Sequence, residues 1–433
     1  MSATAAGTRA PGGRVLAVRL DSDGDVLLTG PAVRALGTGP DGGACEVDLL
    51  VSPAGRAAGG LLPGVAELRV FDAPWSGYAP AVLDPAAVEE LLTWMRGRRH
   101  DEVVVVTSFH QSPLPMALLA RLAGAPVVVG TSEDYPGSLL DVRHRRDGAA
   151  DGSGGGHEVL AALDLVAATG RTVPERPRLA VRTDVVDAAE EQLLVLPGLR
   201  EVLQDGDSRG LVVVHPGASV PARAPSPQVA AQAVAALLDD GWDVVLTGSP
   251  AERGLVADVQ GRAAGVSGRS VVSRAGSSGP DGAARARLVD AAGTTDLAGL
   301  AALLRTASAV VVGNTGPAHL AAAVGTPVVS LFAPVVPAER WAPWGVPTVL
   351  LGDQDAPCAL SRARECPVLG HPCLQLGGRT VAEAVRSVVG VRPGGARPDV
   401  PPVERSPGPR AAAGSQAGTP VAPSVRAGGE VHR

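Results

Sequence analysis

The chain has 433 residues, of which 45% are hydrophobic, 2% aromatic and 19% charged, with a formal net charge of −6. That length predicts two or three domains with ordinary apolar cores, and the acidic balance lacks the basic footprint of a nucleic-acid binder, so none is expected as a partner. No apolar run approaches the ~20 residues that cross a bilayer, and four cysteines over this length make no disulfide framework. The expected setting is cytoplasmic, with membrane contact at most peripheral.

Residues 1–13 read as a flexible leader without the apolar segment of a signal peptide. Val- and Leu-rich runs follow at 14–20, 46–52, 67–71, 102–108 and 125–130, separated by helix-length segments. This pattern predicts parallel strands covered on both faces. A glycine-rich insert at 150–157 precedes a helix over 157–170, and the first domain is expected to end near 195. Residues 196–210 read as a polar linker. The second series places strands at 211–217, 242–248, 271–273, 308–314 and 326–332, and helices at 227–241 and 295–307. It ends near 390, and the Pro/Gly/Ala/Arg-rich remainder is predicted to be a disordered tail. The fold class is therefore α/β, with two doubly wound domains in sequence. Such sheets bind ligands at the carboxyl ends of their strands.

Composition colours every residue-level reading. The sequence has no lysine and no isoleucine, all 38 basic side chains are arginine, and Asn314 is the single asparagine. The missing or rare residues share AT-rich codons, so arginine here reflects coding bias and is not in itself a sign of phosphate recognition.

Three strand-to-turn stretches carry candidate chemistry. In RLDSDGDVLLTG, Gly24 permits a tight turn or close approach, and Asp25 opens a helix whose dipole stabilises its carboxylate. Its two readings are a helix-capping aspartate and a general base at the mouth of the cleft. In HPGASVPARAPSP, Ser219 and Arg223 offer a hydroxyl and a planar fork to phosphate oxygens, and Thr247-Gly248 repeats the logic after the next strand. In VVVGNTGPAHLAAAVG, a strand ends at Asn314, Thr315-Gly316-Pro317 turn, and a helix begins with Ala318 and His319. Free amides at such a helix start suit a pyrophosphate. GTGPDG at 37–42 matches a dinucleotide fingerprint but follows a helix, and reads as a loop. Cys358, Cys366 and Cys373, with His371 nearby, lack the close spacing of structural zinc motifs and read as buried thiols. The arginine and histidine runs at 96–100 and 143–146 read as solvated faces.

Taken in order, these stretches, together with SFHQSPLPMALLARLAGAP, ERWAPWG and PCALSRARECPVLGHPC, resemble glycosyltransferase family 9, the bacterial heptosyltransferases, over most of residues 14–390. The resemblance implies a GT-B fold, two Rossmann-like domains facing across a cleft, with acceptor on the first and nucleotide sugar on the second. It implies metal-independent, inverting transfer of a sugar, typically heptose from an ADP-sugar, to a glycan, lipid-linked or metabolite acceptor, with no cofactor. Asp25 corresponds to the family's proposed base. Arg223 and the turn Gly316–His319 would meet the leaving diphosphate, with Gly24, Ser219, Thr247, Gly248, Asn314, Thr315, Pro317 and Ala318 around the donor. The family commonly has lysine at the position of Arg223, tryptophan at Pro225 and aspartate at Asn314. The latter two departures keep one alternative in view, a nucleotide- or sugar-binding relative without turnover; a sugar-nucleotide epimerase on the same architecture is a third reading, disfavoured by the motif order.

Overall fold

Two six-stranded parallel sheets follow one another along the chain in a computed structural model that describes residues 13–77, 80–146, 156–196, 198–204, 209–267 and 286–390. All of these belong to the compact unit Met1–Arg392. Most of the expected leader and of the glycine-rich insert, the strand expected at 271–273 and the tail beyond 390 lie outside the described residues.

The first sheet comprises β1 (Arg14–Arg19), β2 (Glu46–Val51), β3 (Glu67–Val70), β4 (Glu102–Val105), β5 (Val127–Thr131) and β6 (Val142–His144). The second comprises β7 (Leu211–His215), β8 (Asp243–Leu246), β9 (Leu288–Asp290), β10 (Ala309–Gly313), β11 (Val328–Leu331) and β12 (Thr348–Leu351). Their orders, β3-β2-β1-β4-β5-β6 and β12-β11-β10-β7-β8-β9, are the same winding read from opposite edges. The direction of winding reverses between β1 and β4 in one sheet and between β7 and β10 in the other, which is where an open parallel sheet leaves a crevice beyond its carboxyl ends. The loops that follow β1, β4, β7 and β10 are therefore the ones the topology offers to ligands.

Three strands escaped the sequence pattern. Val142–His144, Leu288–Asp290 and Thr348–Leu351 are edge or near-edge strands of three or four residues, and most of their side chains are half-exposed. Strands covered on both faces read as apolar runs, whereas edge strands carry no such run. The expected linker contains a helix, Leu199–Gln204. The preceding helix, Thr183–Leu193, packs on Leu297–Thr306 beside the second sheet, and Arg305 pairs with both Asp187 and Glu190. The chain thus crosses to the second sheet before the expected boundary near 195.

The two halves share one apolar cluster. It runs from Val15 and Val26 through Leu163 to Leu303 and Leu320, so the helix Asp23–Leu36 packs directly on Gly316–Val324. A second seam is polar. The His157 Nε2 donates to the Ala342 carbonyl at 2.8 Å, its Nδ1 accepts from Val159 N–H at 3.2 Å, and its ring stacks on Trp344 with centroids 4.5 Å apart. Trp344 in turn donates to the Pro177 carbonyl at 2.8 Å.

The charged runs are solvated faces only in part: Arg96, Arg99 and Arg145 are exposed as expected, whereas others turn inward. Arg98 bridges Glu46 and Asp48 at 2.6 and 2.7 Å, and the buried His100 ring lies 2.9 Å from the same Asp48. Arg146 points inward to Glu158.

Burial pushes the His157 imidazole down to about 4, only partly offset by its hydrogen bond to Ala342. As pH falls below about 6.5 the unfolded chain takes up this proton while the folded chain does not. The stability due to neutral His157 is complete above that pH and is lost towards pH 4. His157→Gln retains a donor for Ala342 without a titrating ring. Its melting temperature should fall less than that of the wild type between pH 7 and 4.5, the difference corresponding to roughly 3 kcal/mol at most. Equal slopes would show that this ring does not titrate on unfolding.

Candidate active site

The helix Asp23–Leu36 begins two residues earlier than the sequence suggested, with Ser22 as its N-cap, so Asp25 sits in the first turn and not before it. Ser22 Oγ donates to Asp25 Oδ2 at 3.0 Å, and the carboxylate retains 22% of its exposure. Across from it lies the start of Gly316–Val324, capped by Thr315 in extended conformation with Pro317 in the first turn. A Cβ built on Gly24 would stand 3.1 Å from His319 Cδ2 and 3.3 Å from Gly316 Cα. The two helix starts therefore touch through glycine backbone. Both turn the positive end of a dipole to the same region, which favours a negative group there; in the second helix the Gly316 N–H is the donor available, since Pro317 has none and Ala318 N–H donates to the Thr315 carbonyl at 3.0 Å.

Two further candidates converge on this point. His319 is buried, its Nδ1 has no hydrogen-bond partner, and burial, then the neighbouring His157, hold its pKa down to about 4. Asp25 and Arg223 both act on its charge, with opposite sign, which places all three in one electrostatic neighbourhood. Arg223 ends the turn Pro221–Arg223, and its carbonyl lies 2.6 Å from where a Gly313 Cβ would be, so glycine is required where β10 passes this loop. Its Nε is buried without a partner.

The remaining sequence candidates divide. Thr247 is buried, with its hydroxyl spent on His215 Nδ1 at 3.0 Å, and Gly248 accepts from Gly293 N–H at 2.7 Å. Ser219 is exposed on the loop after β7, and Ala318 is buried in the helix. Asn314 is buried and turned away from the helix starts: its amide donates to the Ala333 carbonyl at 3.3 Å and accepts from Ala333 N–H at 3.4 Å. It splices the end of β10 to the chain leaving β11. Cys358 and Cys373 are buried in the core beside the second sheet and all four cysteines are free. Among the described residues no group of three or more His, Cys, Asp or Glu is arranged to hold a metal.

Sequence reasoning passed over the charge network beneath Asp25. Arg19, at the buried end of β1, pairs with Asp21 at 2.7 Å, Asp25 at 3.3 Å and Glu158 at 3.6 Å, and donates to Ser108 Oγ at 2.8 Å. Burial opposes the Arg19 charge, and these three carboxylates outweigh it. Glu158, itself buried, also meets Arg146 at 3.4 Å and Arg340 at 3.5 Å, the latter from the second half. Three carboxylates thus face three guanidiniums. Asp21 is pushed up to about 6, first by burial and against the pull of Arg19, while Gln111 donates to it at 2.5 Å. Arginine inside the otherwise apolar RVLAVR was the available signal. Glu252 was also missed. It closes a capping box with Ser249 and lies where a Gly217 Cβ would stand, 1.8 Å from its Oε1, so glycine at 217 admits it over the loop after β7.

The model of glycosyltransferase family 9 (heptosyltransferase) matches residues 95–371, well over half the chain. Among solved structures, ADP-heptose LPS heptosyltransferase II of E. coli is 18% identical, with a TM-score of 0.61 over 87% of this chain and 98% of that one. A family 9 glycosyl transferase from Veillonella parvula is 17% identical, with a TM-score of 0.63 over 88% and 99%. E. coli heptosyltransferase WaaC with ADP is also 17% identical, with a TM-score of 0.54 over 86% and 99%. No curated protein matches significantly. The fold is that of the two-domain GT-B enzymes. The chain belongs to glycosyltransferase family 9 and is a glycosyltransferase. No helix among the described residues is long and apolar enough to cross a membrane.

Two substitutions probe the site. Gly24→Ala sets a methyl against Gly316 backbone, which cannot move aside as a side chain tip can. It should cost about 1–3 kcal/mol of stability and lower turnover on the order of 100-fold as the helix starts separate; turnover at the wild-type rate would show that this contact is not needed. Asn314→Asp leaves the Ala333 carbonyl without its donor and should cost about 1–3 kcal/mol in denaturant unfolding. An unchanged midpoint would mean that the amide splice carries no stability.

Proposed function

We propose that the protein moves a heptose-like sugar from a nucleoside diphosphate sugar, with ADP as the first candidate, to a hydroxyl of a cell-envelope or metabolite acceptor, with inversion at the anomeric carbon. The observation that carries the reading is the contact of two helix starts at Gly24 and Gly316, with Asp25 on one and the buried His319 on the other. In this reading Asp25 takes the proton of the acceptor hydroxyl as that oxygen attacks the anomeric carbon. The bond from that carbon to the diphosphate breaks, and the electron pair leaves with the diphosphate. The amide of Gly316 and the guanidinium of Arg223 receive the developing charge, usually the larger catalytic contribution. Thr315 and Pro317 set the turn, while Asn314, Thr247 and Gly248 hold the donor loops from behind. Ser219 and Glu252 stand where a nucleotide's polar groups would pass. The reaction as written uses no cofactor and no metal step. E. coli heptosyltransferase WaaC has been solved with ADP and with ADP-2-deoxy-2-fluoro heptose, which supports ADP as the first nucleotide to try.

The test is a thermal-shift series with ADP, GDP, UDP, CDP and dTDP on wild type and Asp25→Asn. One nucleoside diphosphate should stabilise both proteins, by roughly 2.7 kcal/mol at a hundred times its dissociation constant. Transfer from the matching nucleotide sugar should drop roughly 10²–10⁴-fold in the variant. Undiminished transfer would remove Asp25 from the role of base, and no shift with any nucleotide would remove the donor site.

A further inference from the structure

Asp21 closes a ring of contacts at the carboxyl ends of β1 and β4, beneath the candidate base. Arg19 Nη2 donates to Ser108 Oγ at 2.8 Å, Ser108 N–H donates to Gln111 Oε1 at 3.0 Å, and Gln111 Nε2 donates to Asp21 Oδ1 at 2.5 Å. Asp21 Oδ2 returns to Arg19 Nε at 2.7 Å. This last contact is close but off-line, since neither atom makes an aligned hydrogen bond. The Asp21 side chain keeps 12% of its exposure, enough for a proton to enter from solvent.

The ring decides where that proton can go. A backbone N–H can only donate, so Ser108 takes the oxygen of the Gln111 amide and leaves its NH2 to face Asp21. Asp21 Oδ1 is thereby held as an acceptor. A proton taken up by the carboxyl comes to Oδ2, where it opposes the N–H of Arg19. Protonation therefore breaks the Arg19–Asp21 contact without the loss of an aligned hydrogen bond. Arg19 also serves Asp25 at 3.3 Å and Glu158 at 3.6 Å, so its release leaves more of its charge to Asp25. Loss of the negative charge on Asp21 acts on Asp25 in the same sense, lowering its affinity for a proton.

The surroundings set the pH of this event. Burial first, then Asp25 and Glu158, push Asp21 up to about 6 against Arg19 and the Gln111 hydrogen bond. Asp23 is turned away, accepting from Ala58 N–H at 2.8 Å, and Ser52 donates only to the Asp21 carbonyl, at 2.7 Å. Of the nearby histidines, His157 and His319 are held down to about 4, while His110, beside Gln111, is pushed down first by burial and then by Arg362.

We propose that Asp21 is a positioning residue acting through Arg19: on taking up a proton it gives the guanidinium over to Asp25, and the candidate base is weakened as the solution turns acidic. The inference rests on the role proposed for Asp25.

The experiment is an infrared pH titration of the full chain, following the carboxylic-acid carbonyl band. A band with its midpoint near pH 6 should appear in the wild type, be missing from Asp21→Asn and persist unchanged in His110→Gln. Asp25→Asn should lower that midpoint by half a pH unit or more. Coupling between two sites is reciprocal, so this shift measures what Asp21 does to Asp25. Should Asp21→Asn fail to fold, Gln111→Met identifies the band by raising its midpoint. In turnover, read as ADP released from ADP-heptose with water as acceptor, the wild type should lose about tenfold per pH unit below 6. Asp21→Asn should be tenfold or more slower at pH 8 and flat down to pH 5. A band that survives Asp21→Asn or disappears in His110→Gln, a midpoint unmoved by Asp25→Asn, or an acid decline retained in Asp21→Asn would each overturn the proposal. Undiminished turnover in Asp25→Asn would instead defeat the base reading, and the infrared shift would still decide whether the two carboxylates are coupled.

Discussion

Two helix starts meeting through bare backbone is the constraint on which the rest of this site depends. With no side chain at Gly24 or Gly316, the first turns of Asp23–Leu36 and Gly316–Val324 come within ordinary contact distance. Each brings a partial positive charge, so their juxtaposition is unfavourable unless negative charge is supplied. Asp23 and Asp25 supply it from one side, and a diphosphate would supply it from the other. The same approach buries His319 against Gly24, which explains why its ring is kept neutral although a carboxylate is near.

Holding an acidic loop against a buried interface requires compensation, and Arg19 provides it from within β1. A single guanidinium serving Asp21, Asp25 and Glu158 would be outnumbered, and the balance is restored by Arg146 and Arg340 on Glu158. Because Arg340 comes from the second half, the charge balance beneath Asp25 depends on the two halves being packed together. Phe109 reinforces the junction, with the guanidiniums of Arg340 and Arg362 at 4.3 and 4.4 Å from its ring. Breaking one member of such a buried network leaves an uncompensated charge, which costs more than the intact pairing contributes. The geometry of the base and the docking of the halves are therefore one energetic unit.

Legibility in the sequence followed burial. Central strands such as LVVVH and AVVVG are covered on both faces, and their unbroken apolar runs announced both sheets and the loops at their ends. Edge strands such as VRH and LVD carry no such pattern, and their membership depends on a neighbour distant in the chain. The same division runs through the site. Asp25, Arg223 and His319 could be picked out because each sits in a glycine-punctuated turn at a strand's end. The network partners Glu158, Arg146 and Arg340 lie in segments up to about two hundred residues apart, and nothing local marks them. Arg19 and Glu252 are intermediate cases. A charge inside an apolar strand and a serine followed three residues on by glutamate are both local signals, and both were present to be read.

Asn314 shows why a residue type otherwise absent from the chain is retained at one position. Its neighbourhood offers one backbone N–H and one backbone carbonyl, both from Ala333, at the point where β10 and the chain leaving β11 diverge and sheet hydrogen bonding ends. A carboxamide is the side chain that satisfies both at once, because it donates and accepts from adjacent atoms. An ionised aspartate would serve the N–H, leave the carbonyl without a donor, and bring a buried negative charge towards the turn proposed to receive a diphosphate. With the amide in place, the turn Thr315–Pro317 is anchored from behind, and the positive character of the helix start is not diminished by a carboxylate beneath it. The amide therefore satisfies Ala333 while sparing the proposed diphosphate turn a buried negative charge from behind.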